Sequence, residues 1–455
     1  MVQAASPDPD AVASLRGAIE GDVLEPHHPA FEDLRRSFNS TIEKQPALIV
    51  ACDSVSDVVA ALAFARQAGL QIGVRGGGHS VAGHGLVEGG LVIDLRRMRS
   101  VTVDPEERRA SAAGGALWED FDTATQAHGL AVTGGTFVDT GVAGLTLGGG
   151  IGFLMGVAGL TCDNLVGAQL VTANGEILEV SDETDPELLW ALRGGGGNFG
   201  VATRLDYALH EVGTLYGDAA LVALGDGSII RRLADVQRDA PDTFVALAYV
   251  ANRAEFGPSI SIQVASLGDE PSTRRLYDAI IGDAKVIDAQ FGALTYAEIQ
   301  GFAGVLPFGM RHYWKSAFAP EVTPELVGDI VELVGERWPG KTGVLLEPLH
   351  GAARRYGHDH AAFPQREARY HVSALGIWTD PADDDREKAW VREVHRRLTA
   401  NGRSETYVNY ITPDEPIDRA STAYPPAILA RLRQVKRRLD PDNVFRSNLN
   451  IAPAD

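Results

Sequence analysis

A chain of 455 residues is long enough for two or three domains at about 150 residues each, and its 45% apolar content supports a sizeable core without staples. Two cysteines, Cys52 and Cys162, are too few for a disulfide framework or a four-ligand zinc site. A formal charge of −20 argues against a nucleic-acid partner and an anionic membrane surface, and leaves a soluble, self-repelling exterior.

Met1 to Asp10 shows no basic start followed by an apolar run, so no secretory signal is expected. No stretch approaches the ~18 apolar residues of a membrane helix, and a cytoplasmic location follows. Asn39-Ser40-Thr41 matches a glycosylation sequon, read as chance without secretion. Ser54 and Asp57 form a capping-box pattern before a helix of roughly residues 57–68, which Gly69 ends. Leu70 to Val74 is a short strand that runs into Gly76-Gly77-Gly78. Leu91 to Leu95 is a second strand, and Val101-Thr102-Val103 turns through Asp104-Pro105. Trp118 to His128 is helical. Ala168 to Ala173 and Glu176 to Val180 flank Asn174-Gly175, a hairpin signal. Asp185 to Leu192 is a short helix before Gly194 to Gly197.

Beyond Val212 the texture changes to strands mixed with helices, which suggests a second, α+β domain. Strands fit Val245 to Val250, Ser259 to Val264, Val344 to Leu346 and Tyr370 to Ile377. Helices fit Pro324 to Glu336 and Asp384 to Leu398. In the tail, Tyr407 to Ile411 reads as a strand and Pro425 to Leu439 as a helix.

Glycine carries the strongest functional signal. Three clusters, at Gly76, Gly148 and Gly194, lie before residue 201. Arg75-Gly76-Gly77-Gly78-His79-Ser80 offers consecutive N–H groups able to curl around an anion, though alone it is an ordinary tight turn with an incidental histidine. It is not a Rossmann fingerprint, because no G-x-G-x-x-G opens a helix there. Together with Leu147 to Gly152 and Gly194 to Gly200, it points to a large phosphate-containing ligand. Gly335 to Thr342 matches a phosphate-loop pattern, but a helix precedes it and Trp338-Pro339 fill its interior. Cys162 reads as a small buried residue rather than a reactive thiol. His350, His358, His360 and His371 are scattered, solvated or pocket-lining rather than ligands, and no metal site is expected.

The chain resembles the berberine-bridge-enzyme-like flavoproteins of the vanillyl-alcohol-oxidase/p-cresol-methylhydroxylase superfamily. The matching pieces are VRGGGHSVAGHG (74–85), GVAGLTLGGGIGFLMGVAGLTCDNL (141–165), VTANGEIL (171–178), ELLWALRGGGGNFGVATR (187–204), YVNY (407–410) and RLRQVKRRLDPDNVFRSNLNI (431–451). The resemblance implies an α+β fold: an FAD-binding domain of the p-cresol-methylhydroxylase type in two parts, 1–212 and 405–455. An α+β substrate domain, an antiparallel sheet flanked by helices, would be inserted at 213–404. It implies FAD contacts from Arg75, Gly76, Gly77, Gly78, His79, Ser80, Thr140, Gly141, Thr146, Gly148, Gly149, Gly152, Gly200, Val201, Tyr407 and Asn409. His79 would be joined to the flavin 8α-methyl.

Many relatives carry a second link through a cysteine. Here that place holds Phe137 or Val138, and Cys162 lies 83 residues beyond His79, so a single attachment is expected. Family precedent offers Tyr410 as the catalytic base, provided that nearby positive charge or hydrogen-bond donors lower its pKa from about 10. The glutamate base of some plant relatives finds no counterpart in Pro348 to Arg355. Tyr313, Trp314, His350, Tyr370 and Trp378 are candidate substrate-lining residues. Small Thr140 suits an oxidase. The implied activity is two-electron oxidation of a small alcohol, amine, sugar or natural product, with oxygen reduced to hydrogen peroxide. A dehydrogenase with another acceptor and a non-catalytic flavin carrier remain the alternatives, and oligomeric state is open.

Overall fold

The structure is a computed structural model that describes residues 7–306, 308–400, 405–412, 414 and 420–455. Its first sheet is built from Leu48–Ala51, Leu91–Asp94 and Ile72–Arg75 in parallel, with Asp22–Leu24 antiparallel at the edge. LIVA and LVID are buried along their whole length, as parallel strands covered on both faces must be. The crossover helix Val55–Gln67 starts at Ser54, whose side chain accepts from the Asp57 N–H. Only half of the expected capping box forms. The Asp57 carboxylate instead accepts N–H bonds from Glu20, Gly21 and Asp53, which ties the N-terminal segment to the helix.

A five-stranded antiparallel sheet follows, in the order Val101–Asp104, Arg109–Ala113, Val201–Ala208, Leu165–Val171, Ile177–Ser181. The last two form the hairpin around Asn174-Gly175, with Gly175 at a φ of 80°. The helix Pro426–Leu439 returns to this part of the molecule and packs Ile428, Leu432 and Val435 into the same core as Trp118, Leu189 and Phe199.

From Leu215 the chain builds a large antiparallel sheet. Strands Leu215–Ala223, Gly257–Ser266, Phe244–Arg253, Gly343–Pro348, Tyr370–Trp378 and Arg311–Ala319 lie side by side in that order. Its two faces are both apolar but serve different layers. One face presents Ala246, Ala248, Val344, Leu346, Val372 and Ala374 to the helices Ser228–Asp239, Glu270–Ile281, Pro324–Gly335 and Asp384–Ala400. The other presents Val245, Leu247, Trp314, Phe318 and Leu375 to the first half of the chain.

One local expectation changes. Tyr407 to Ile411 is no strand: Val408–Tyr410 is a single 3₁₀ turn. Asn39 of the sequon is fully buried, and its side chain bonds Val81, His312 and Thr41, so it is a packing clamp. The Gly335–Thr342 pattern lies between a helix and a strand, the reverse of a phosphate loop. Among the described residues no helix is long and apolar enough to cross a membrane, and no cluster of metal-ligating side chains occurs.

Candidate active site

Strand Ile72–Arg75 ends directly in the first glycine cluster, and the space beyond the carboxyl ends of parallel strands is where open α/β sheets bind ligands. A cavity of about 310 Å³ lies there. Its wall brings together Arg75 to Ser80, Thr140, Gly141, Gly148, Gly200, Tyr407, Asn409 and Tyr410, contributed by both ends of the chain. Gly77 and Gly141 meet back to back: a Cβ on Gly77 would lie 2.4 Å from the Gly141 nitrogen. Only glycine at both places lets the two loops close against one another.

Four other expected cofactor residues fall outside the wall, each for a packing reason. The Thr146 hydroxyl is held by the Val142 carbonyl and the Tyr207 hydroxyl, each at 2.7 Å. A Cβ on Gly149 would strike the Phe363 ring, and one on Gly152 the Gly134 carbonyl. Val201 is buried as a ladder partner of Val171. Arg75 reaches the cavity, but its guanidinium donates to the carbonyls of Leu34 at 2.5 Å and Arg36 at 2.6 Å. Its role is to hold the N-terminal segment against the loop.

His79 is 8% exposed at the side chain, and its Nε2 lies 3.4 Å from Oδ2 of Asp139. Its Nδ1 is buried with no hydrogen-bond partner. Phe38 lies nearly parallel to the ring, 4.9 Å between centroids. A buried ring nitrogen left without a partner is costly unless something else engages it. The orphaned Nδ1, on the wall of a cavity floored by bare glycine backbone, fits a ligand that bonds there.

Comparison with known proteins agrees with this geometry. A family model described as FAD binding domain matches residues 46–181, and one described as berberine and berberine like matches residues 406–452. A Bacillus subtilis protein, the FAD-linked oxidoreductase YgaK, is 30% identical, with 96% of this chain and 97% of that one covered. The chain belongs to the berberine-bridge-enzyme-like FAD-linked oxidoreductases. The solved structure of 6-hydroxy-D-nicotine oxidase from Arthrobacter nicotinovorans is 28% identical, with a TM-score of 0.87 over 96% of this chain and 98% of that one. Glucooligosaccharide oxidase from Acremonium strictum, described with a 6-S-cysteinyl, 8α-N1-histidyl FAD, shares the fold at a TM-score of 0.84 and 22% identity, covering 98% of this chain and 99% of that one.

This FAD-linked oxidoreductase differs from the sequence expectation chiefly on the wall formed by the large sheet. Of the candidate substrate-lining residues, Trp314 reaches the cavity. Tyr313, Tyr370 and Trp378 lie on the helix-facing side, bonded to Asp414, the Ala234 carbonyl and Asp384. His350 packs behind the site, near Gly156, and burial lowers its pKa to about 4. The residues that do face the cavity side are their strand neighbours. Glu347 lines the wall. It is 2% exposed, and its Oε2 lies 2.7 Å from Nδ1 of fully buried His371. A glutamate therefore stands in the wall one residue before Pro348.

In a 3₁₀ turn, residues three apart eclipse, so Tyr407 and Tyr410 share a side instead of facing opposite ways. Their rings are 5.3 Å apart, and each lies 5.0 Å from His371. The Tyr407 hydroxyl accepts from the Gly150 N–H at 2.9 Å and from Asn409 at 3.0 Å. Burial, then the charges of Glu347 and Tyr407, push the Tyr410 pKa well above its usual 10. Among the described residues, neither a cation nor a hydrogen-bond donor acts on Tyr410 to lower its pKa, and the carboxylate of Glu347 raises it. Phe137 lines the cavity with no thiol beside it, while Cys162 is fully buried away from the wall, its thiol pKa raised by burial.

Proposed function

We propose that the protein is an oxidase that removes two electrons from a small organic substrate, with FAD tethered by one bond, through His79. The single observation that carries this reading is a cavity shared by two halves. The orphaned Nδ1 of His79 and the glycine loops form one part of its wall, and Glu347, Trp314 and Tyr410 another. Bound FAD would supply the two-electron acceptor for the substrate, with oxygen as the final acceptor.

The chain's own part is binding, orientation and proton handling. Gly76 to Ser80, Gly141, Gly148, Gly197 and Gly200 offer backbone at the cofactor end. Glu347 receives the proton of a substrate O–H or N–H, and His371, within hydrogen-bond distance, shares the charge out of contact with solvent. Tyr410 keeps its proton and donates to the substrate, while Tyr407 is locked by Gly150 and Asn409. Trp314, 5.2 Å from Tyr410, adds an apolar flank. Thr140, small and on the wall, leaves room for oxygen.

The test is a panel of alcohols, amines and oligosaccharides mixed anaerobically with the purified protein, followed by air. Bleaching of the flavin absorbance and then one peroxide per turnover is expected. Bleaching without peroxide would make the protein a dehydrogenase, and no bleaching by any member would make it a flavin carrier.

A further inference from the structure

Phe137, Asp139 and Leu306 form a rim beside His79 that the reading above leaves without a role. We infer that Asp139 is the positioning residue for flavin attachment: it holds the His79 proton on Nε2, so that Nδ1 is the nitrogen joined to FAD. This rests on attachment at His79.

Three observations meet here. The Asp139 carboxylate faces Nε2 at 3.4 Å, while Nδ1 is buried without any partner. A neutral imidazole carries one proton, and the nitrogen that faces a carboxylate keeps it. The lone pair is then on Nδ1. Secondly, the ring cannot swing to exchange the two nitrogens. Phe38 stacks on it at 4.9 Å, and Phe38 is itself fixed by His312 at 4.4 Å and by its neighbour Asn39, which bonds Val81 and His312. Thirdly, Asp139 is fixed from behind, since its Oδ1 accepts from the Leu306 N–H at 3.4 Å. The carboxylate is held between the glycine-rich half and the large-sheet half of the molecule.

The step balances with oxygen as oxidant. Nδ1 would form a bond to the 8α carbon, that carbon would give up one proton and Nε2 then the other, and dioxygen would take the electron pair and both protons as hydrogen peroxide. As Nδ1 is alkylated the imidazole gains positive charge, and the Asp139 carboxylate across the ring stabilises it.

The experiment isolates the full chain as wild type, Asp139→Ala, Asp139→Asn and His79→Ala, each incubated with FAD in air. Acid-stable flavin in the precipitate is followed in time, and the linkage nitrogen is assigned by NMR on the flavin peptide. Wild type should link through Nδ1. Asp139→Ala should bind FAD in full stoichiometry but attach it roughly tenfold to a hundredfold more slowly, the loss seen when the carboxylate partner of a metal-bound histidine is removed. Asp139→Asn, which can still accept from Nε2–H, should lie between. Asp139→Ala attaching at the wild-type rate, or wild type linked through Nε2, overturns the inference. Wild type with no acid-stable flavin at all sinks attachment at His79 instead, a result distinguishable from either.

Discussion

Lys436 offers a severe test of how the C-terminal helix is joined to the glycine loops. It is completely buried, and its ammonium donates to the Asn198 carbonyl at 2.8 Å, Asp440 Oδ2 at 2.7 Å and the Phe445 carbonyl at 2.8 Å. Burial lowers its pKa from 10.5, while Asp440 pushes back. Asn198 belongs to the Gly194–Gly200 loop, and Phe445 precedes Asn448 and Leu449, so this one ammonium joins two segments of the cavity wall. Lys436→Met keeps the length and removes the charge. It strands two carbonyls and leaves Asp440 buried as an anion, though the Val444 and Phe445 N–H groups still donate to that carboxylate. Removing one partner of a buried ion pair costs about 3–5 kcal/mol.

A unit of this size rules out simple two-state treatment, so the readout is the melting temperature at fixed FAD. At about 2 cal/mol/K per residue, unfolding of half to all of the chain turns that cost into a fall of roughly 3–11 °C. Lys436→Met/Asp440→Asn removes the stranded charge and should recover more than half of the loss. A single variant that melts within about one degree of wild type, or a double variant worse than the single, would refute the argument.

Glu347→Gln should slow anaerobic flavin reduction by about 10²–10⁴-fold, and Tyr410→Phe by less than about tenfold, measured by stopped flow with any substrate that bleaches the flavin. The reverse order would return the base to Tyr410. His312 is fully buried with both ring nitrogens unpartnered, and burial, then His79 and Lys341, lower its pKa from 6.5 to about 3. The folded state therefore binds this proton less readily than the unfolded one. Stability is intact above pH 6.5 and falls by about 1.4 kcal/mol per unit as pH drops toward 3. Acid titration of melting temperature should show a shallower slope for His312→Phe; equal slopes would remove His312 from the account. Cys162→Ser should leave acid-stable flavin unchanged, and flavin found on a Cys162 peptide would defeat the single-tether reading.

The glycine clusters, the Asn174-Gly175 hairpin and the helix capped by Ser54 were legible because each is a local signal: a φ value, a cap, a turn. The family followed from the order of several such signals. The cavity-facing residues of the large sheet were not legible, and the reason is strand parity. Successive residues face opposite ways, so a one-residue error reverses the answer. Tyr313 and Trp314 are both candidates and only Trp314 faces the cavity; Tyr370 is a candidate and its neighbour His371 faces that side; Pro348 opens the stretch compared with the plant base and its neighbour Glu347 lines the wall. In a sheet with one wet face, polar alternation would fix the parity. Here helices cover one face and the first half of the chain the other, so both faces read apolar. The polar pair that breaks the tie is Glu347 and His371, which stand opposite one another on adjacent strands.

The turn at Val408–Tyr410 carries the same lesson into the chemistry. Had it been extended, Tyr410 would have stood apart from Tyr407 and free to meet a cation. Wound into a 3₁₀ turn, it is set against Tyr407 and His371, beside the carboxylate of Glu347. Two acidic groups in one low-dielectric wall cannot both ionise cheaply. Burial, then the Glu347 carboxylate, raises the Tyr410 pKa well above 10, so the phenol keeps its proton. The proposed division of labour, Glu347 as base and Tyr410 as donor, thus rests on the backbone conformation of three residues.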